Sequence, residues 1–383
     1  MEIVSYSNCL ELDSLANAWG RLSEKELIFI PSFSELRYRL GAGGSKFRIL
    51  VASDNSQIVA IACFVYTTAI RSYGIAARKL FDLRTKEVSL FGSCVLGQPS
   101  ENVIRKFFQL IIEGSDVDVI DVGHIFIDAP LYNAITSLPK GIIAWTERKK
   151  QIRWLIRLPG SFDEYAASLR ATTRAAVASE RRKLERESPS FHVMQRPEEV
   201  ENFLRDAEKI SRLSYQWKLG YGLYNDDNTR RRFARLAEDG TLRCYILYLH
   251  GQPCAFSWGE LNHRKFVWDT TGYDPHCRKL SPGTALLMWM IRDLVENTNC
   301  EIFDFKWGSE EGYKSRFATL NFSCARMYVA QIYNPYSLLI ITLDKILNSL
   351  KNLAEKLLFR IFARGAIKQR LRSAMRRYGI ATY

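Results

Sequence analysis

Apolar runs of strand length, separated by polar turns, recur along the whole chain. In the first half "FRILVAS" and "QIVAIACFVYTTAI" predict two strands joined at Asp54-Asn55. "VSLFG" then leads through a Gly- and Pro-containing loop to a helix beginning near Ser100 and on to a strand at "VDVIDVG". In the second half "LRCYILYLH" and "PCAFSWGEL" predict strands joined by the turn His250-Gly251-Gln252, and "KFVWDTTGY" follows the polar turn Asn262-His263-Arg264. A helix from about Ser281 to Asn297, the strand "CEIFDFKWG", a short helix near Glu311 and a strand pair around "SCARMYVAQIY" complete the series. The halves share a similar order of elements, with Asp121 and Asp304 at matching places in strands that each follow a helix. This self-similarity predicts two copies of one α/β (α+β) unit with a mixed sheet flanked by helices.

Between the copies, "SFDEYAASLRATTRAAVASERRKLERES" is about 28 residues of mostly good helix formers, with Ser161 or Asp163 to cap its start and Pro189 just beyond its end. It is read as the helix that opens the second domain. Near the C-terminus Leu339, Leu343, Ile346, Leu350, Leu353, Leu357 and Ile361 fall at spacings of three and four, the period of an amphipathic helix. Gly365 is expected to divide this tail into two helices. The expected domains are therefore 1–158 and 159–335, followed by a helical tail over 336–383.

The chain has 383 residues, 47% hydrophobic and 25% charged, which excludes disordered and collagen-like classes and suits two domains of ordinary size. Its net charge of +13 is unevenly placed: from Gln331 onward ten Lys and Arg stand against Asp344 and Glu355, so this tail carries +8 and the rest only +5. A basic amphipathic helix lies on an anionic membrane surface, binds an acidic partner, or packs on its own domain with a solvated basic face. The stripe alone leaves these readings open. The eight cysteines form no C-x-x-C pair and several, such as Cys63, lie in apolar runs, pointing to reduced, buried thiols. Five histidines without metal-ligand spacing give no reason to expect a metal. "MEIVSYSNCLELDSL" lacks a basic segment before an apolar core, and the uncharged run from Met327 to Leu343 falls short of the roughly 20 apolar residues of a spanning helix. The expectation is a cytoplasmic protein, either free or peripheral at the inner face of the membrane.

Two stretches carry candidate chemistry. In "YDPHCRKLSPGTALLMWMI", Ser281 suits a helix N-cap, Pro282 the first helical position, and Gly283 a close approach of ligand to backbone. The free N–H groups of that first turn, with Arg278 and Lys279 beside them, suit an anion such as a pyrophosphate. The competing reading is a capped helix start with basic residues in its loop. In "FDFKWGSEEGYKSRFA", Asp304 lies in an apolar strand, where an acid is costly unless paired. It is read as a structural acid in preference to a catalytic base. Lys314 suits the stabilisation of a developing oxyanion, and Tyr313 the gift of a proton to a leaving group. Asp269 and Glu260, on the two preceding strands, are general-base candidates from chemistry alone. For an acceptor, the linking helix offers Arg174 among several arginines, and "SYQWKLGYGLY" interleaves Trp217 and three tyrosines with Lys218, a mix suited to a phosphorylated sugar or lipid-linked saccharide. A solvated basic face beside a partly buried aromatic cluster explains the same residues.

Strand, basic loop, glycine-entered helix, strand and Tyr-Lys, in that order, resemble the GNAT acyltransferase fold. More narrowly, "LSPGTALL" followed by "FDFKWGSEEGYKSRF", with "SFDEYAASL" and "SYQWKLG" upstream, is similar to the tandem GNAT-type proteins grouped with CelD, associated with bacterial cellulose biosynthesis and related to the FemABX aminoacyltransferases. The resemblance covers roughly residues 10–335. It implies two GNAT-like domains, the second binding the donor, with acyl-CoA as co-substrate. Arg278, Ser281, Gly283 and Thr284 would hold the donor pyrophosphate, and Lys314 would occupy the place of the catalytic-site lysine of the FemABX enzymes. In the first half "GQPSENVIRKF" puts Glu101 where an anion would bind, which implies a lost donor site and a domain that shapes the acceptor side. The loop R-K-L-S-P-G departs from the usual Q/R-x-x-G-x-G/A and leaves coenzyme A open as the donor. The implied activity is acyl transfer to an amine or hydroxyl of a cell-envelope or polysaccharide precursor, by direct attack in a ternary complex. Aminoacyl-tRNA as the donor, and a non-catalytic accessory role in polysaccharide synthesis or export, are the alternatives.

Overall fold

The computed structural model describes residues 1–42, 46–75, 78–114, 116–146, 151–214, 217, 222–310 and 312–362. The chain forms two compact units, the first from Met1–Glu26, Glu35–Ile152 and Phe322–Tyr383, the second from Leu27–Ser34 and Arg153–Asn321.

In the first unit, strands β1 (Glu2–Tyr6), β2 (Phe47–Asp54), β3 (Gln57–Ile75), β4 (Arg78–Leu90) and β5 (Val119–Phe126) lie side by side in chain order, and β6 (Ile142–Thr146) follows. Neighbours are antiparallel except β4 and β5. The β2–β3 turn places Asn55 at φ 46° and Ser56 at φ 64°, the left-handed pair of a tight hairpin. The helix Glu101–Glu113 crosses this sheet and buries Phe107, Phe108 and Ile111 against Leu50, Phe64, Val88 and Ile120.

In the second unit, β7 (Gln151–Arg157), β8 (Ser190–Met194), β9 (Leu242–Leu249), β10 (Gln252–Asn262), β11 (Lys265–Tyr273) and β12 (Ile302–Gly308) take the order β7-β12-β11-β10-β9-β8. Phe203 and Phe233, from helices Val200–Leu213 and Asp227–Glu238, close its core over Ile246, Phe256 and Trp258. The fold class expected from the sequence holds: mixed sheets flanked by helices.

The connectivity departs from chain order. β7 follows β6 in sequence yet lies beside β12, whereas β13 (Leu320–Gln331), its counterpart at the end of the second half, pairs from Cys324 with β5 and from Met327 with β6. Each repeat is completed by a strand from the other half of the chain. The segment from Phe322 onward accordingly clusters with the first unit, not with the 159–335 span drawn from sequence. The strand pair expected around "SCARMYVAQIY" is a single strand, because both its edges are occupied by β5 and β6.

The linking helix is broken in two, Phe162–Ser168 and Ala171–Glu185, with Leu169 and Arg170 extended at ψ 146° and 141°. Leu169 is buried, and Arg174 donates to the carbonyls of Ala167 (2.9 Å) and Leu169 (3.1 Å), which supplies the hydrogen bonds that an unbroken helix would have made. The C-terminal helix Pro335–Phe362 docks on the first unit through Ser337, Ile340, Ile341 and Asp344. Gly365 and the second tail helix lie outside the described residues.

Candidate active site

β11 and β12 run parallel through Lys265↔Ile302, Phe266↔Phe303 and Val267↔Asp304, and the pairing ends there although the strands continue to Tyr273 and Gly308. The local cause lies in both strands. In β11 the register with β10 shifts between Trp258↔Thr270 and Gly259↔Trp268, which leaves Asp269 as a bulge. Gly259 permits the close approach: a Cβ there would lie 2.2 Å from the Val267 carbonyl oxygen. In β12 Lys306 sits at φ 60°, a conformation a lysine adopts only when its surroundings impose it.

Those surroundings form a chain of charges. Asp304, wholly buried, accepts from both Nε and Nη2 of the buried Arg153 and from the Lys306 backbone N–H at 2.7 Å. The Lys306 ammonium reaches over the gap to Asp269 at 3.2 Å, whose other oxygen accepts from the Thr270 hydroxyl. Past the end of β12 the Lys314 ammonium donates to the carbonyls of Phe305 (2.6 Å) and Trp307 (2.9 Å). Burial pushes the Lys314 pKa down to about 8, against the opposing pull of Asp304. The half-exposed ring of Tyr313 meets Trp268 edge-on at 5.9 Å. Where the strands part, the structure thus sets Asp269 against Lys306, Tyr313 against Trp268 and Lys314 on the carbonyls of Phe305 and Trp307, and it adds Lys306 and Arg153, which sequence reasoning missed. Arg153 carried the same signal as Asp304, a charge inside an apolar strand. Lys306 carried none, since its backbone angle is a product of the fold.

The helix Pro282–Glu296 begins at the far end of β11. Ser281 holds the N-cap position in the left-handed conformation, φ 50°, and its side chain makes no capping hydrogen bond, contrary to the capping expected. At Gly283 a Cβ would meet only Tyr273, at 3.6 Å, so the space before the first turn is open. Thr284 is partly exposed, and Arg278 and Lys279 are exposed beside it. An uncapped helix start, room at a glycine and two cations fit a diphosphate. The acceptor candidates lie elsewhere. Arg174 serves the helix break, and Trp217 packs on Tyr224 (4.3 Å) under Arg212 (5.3 Å). Lys218 lies outside the described residues. Glu260 is buried in an ion pair with Arg232 at 2.9 Å, a structural arrangement.

The first unit repeats the scaffold. β4 and β5 pair over Glu87↔Val119, Val88↔Ile120 and Ser89↔Asp121, and Asp121 accepts from Arg326 (2.6 Å) and from the Gly123 N–H (2.9 Å), as Asp304 does from Arg153 and Lys306. Gly123, at φ 80°, stands where the second unit carries Lys306. The opening's chemistry is not repeated: β3 and β4 keep register from Phe64↔Leu90 to Tyr73↔Phe81 without a bulge, and Glu101 begins the helix, bonded to Arg105. A strained lysine where the repeat uses glycine points to function. Lys306→Gly is expected to leave stability within about 1 kcal/mol of wild type, strain relief offsetting the lost pair with Asp269, while lowering turnover. Urea denaturation and turnover, measured together, check both halves.

Residues 171–315 match the acetyltransferase (GNAT) domain. The fold is GNAT-like. Among solved structures the chain is similar to FemX, with 11% identity, a TM-score of 0.59, and 89% of this chain and 100% of that one covered. It is also similar to a conserved protein of unknown function from Bacteroides thetaiotaomicron, with 13% identity, a TM-score of 0.53 and coverage of 86% and 100%. A tandem GNAT protein from the clavulanic acid biosynthesis pathway aligns with 11% identity, a TM-score of 0.47 and coverage of 86% and 98%. No curated protein matches the sequence. The GNAT match covers the second unit from the helix Ala171–Glu185 through Lys314, the span that contains the bulge, the uncapped helix and the lysine.

Proposed function

We propose that the chain is an acyltransferase of the CelD-like tandem GNAT group, moving an acyl group from acyl-CoA to an amine or hydroxyl of a cell-envelope or polysaccharide precursor. The observation that carries this reading is the parting of β11 and β12 at the Asp269 bulge, inside the GNAT-matching segment and beside the Lys314 ammonium. A bound acyl thioester would supply the electrophilic carbonyl. Arg278, Ser281, Gly283 and Thr284 bind the donor's diphosphate. Lys314 keeps its proton at Nζ below about pH 8 and donates it in a hydrogen bond to the developing oxyanion; an ammonium has three N–H donors and two are committed to Phe305 and Trp307. Asp269 takes the proton of the incoming acceptor, held in place by Lys306, and the Tyr313 hydroxyl returns one to the leaving group.

The test is thermal unfolding with a panel of acyl-CoAs. At a hundredfold excess over Kd the gain is about 2.7 kcal/mol. Gly283→Glu puts a carboxylate among Arg278 and Lys279, and is expected to abolish that gain while leaving the free protein within about 0.5 kcal/mol of wild type. The likeness to FemX supports a second reading, with aminoacyl-tRNA as donor. No shift with any acyl-CoA, together with transfer from aminoacyl-tRNA, would decide for it.

A further inference from the structure

The leucine stripe of the helix Pro335–Phe362 faces away from the unit on which the helix sits. A helix that packs on its own domain ordinarily turns its apolar stripe inward. Here Leu338, Leu339, Ile346 and Leu350 are 48%, 44%, 51% and 43% exposed, and the docked face is Ser337, Ile340, Ile341 and Asp344. Ile340 and Ile341 pack on Val119, Trp145 and Tyr328. Asp344 accepts from Arg71 and Tyr73, both at 3.1 Å, and from the Trp145 indole at 3.2 Å, while Arg71 also pairs with Glu87 at 2.5 Å. This buried clamp fixes which way the helix faces.

Two further observations name the occupant of the outward face. The Asp344 carboxylate is turned inward, so of the two acids after Gln331 only Glu355 remains against ten Lys and Arg. Lys345 is exposed beside the stripe, and the sequence continues both patterns with Leu353, Leu357 and Ile361 and with Lys351, Lys356 and Arg360. Apolar side chains flanked by cations match a surface with an acyl layer beneath anionic headgroups. Among the described residues no helix is long and apolar enough to cross a membrane. We propose that this helix lies on an anionic lipid surface, its Leu339–Ile346–Leu350 stripe in the headgroup region and its basic residues on the phosphates.

The test is co-sedimentation of the full chain with vesicles of phosphatidylglycerol and phosphatidylcholine, against pure phosphatidylcholine. Binding is expected to the mixed vesicles only, falling about fivefold for each of Lys351→Gln, Lys356→Gln and Arg360→Gln, and weakening in about 1 M salt. The triple variant Leu339→Glu, Ile346→Glu, Leu350→Glu is expected to lose at least about tenfold. These positions are exposed; should the triple variant fail to fold, the single variants Leu339→Glu and Ile346→Glu carry the same readout. Equal partition of wild type and stripe variants would overturn the proposal. So would a wild type that sediments as a dimer and a stripe variant that sediments as a monomer, since a second copy would then cover the face. Vesicle binding needs neither donor nor acceptor, so its outcome is independent of the acyl-transfer reading.

Discussion

Asp304→Ala is expected to lower the free energy of unfolding by about 3 to 5 kcal/mol, which makes it among the most damaging single changes in the chain. The loss is not the value of the ion pair itself, which desolvation largely cancels. It is the cost of leaving the Arg153 guanidinium buried without its carboxylate, together with the orphaned N–H of Lys306. Arg153→Leu should cost a similar amount for the mirror-image reason, and the double variant Asp304→Leu, Arg153→Leu should recover part of the loss. The first unit supplies an internal control. Asp121 makes the same two kinds of hydrogen bond, but its partner Arg326 is 42% exposed, so Asp121→Ala should cost only about 1 kcal/mol. Urea denaturation of the four variants measures all of this. An Asp304→Ala protein as stable as wild type would remove Asp304 from its structural role and return it to the catalytic candidates.

Lys314→Ala is expected to lower turnover by about 10² to 10³ while donor binding, read by thermal shift, stays nearly intact. Its pH dependence separates catalysis from packing. The folded Lys314 titrates near 8 because burial disfavours its charge, whereas the unfolded side chain keeps its ordinary, higher value. If the charged form is the working form, turnover is full below about pH 8 and falls as pH rises through it, and Lys314→Arg shifts that limb beyond the measurable range. Stability moves the other way. Between the folded and unfolded values the unfolded chain binds more protons, so stability rises with pH through that window, and Lys314→Ala removes the rise. A Lys314→Ala protein that releases thiol at the wild-type rate with the acceptor present would refute the assignment.

The strands β9 to β12, the helix Pro282–Glu296 and the tight turns between them were legible in the residues alone. These rest on local physics: side-chain alternation, residues that tolerate positive φ at His250 and His263, and a proline at a helix start. The doubling of the fold was legible in the same way, because an acid inside an apolar strand is conspicuous wherever it recurs, as at Asp121 and Asp304. Which element pairs with which was not legible in this way. Arg153 and Asp304 are 151 residues apart, and the exchange of β7 and β13 leaves no mark on either strand's periodicity, since an apolar strand fits any partner of matching register. The Asp269 bulge and the left-handed Lys306 arise from competing hydrogen bonds on neighbouring strands, which no window of sequence contains. The stripe on the last helix was visible as a spacing. Its direction was not, because a clamp formed by Arg71, Tyr73 and Trp145, far away in the chain, turned the Asp344 face inward and left the leucines outside.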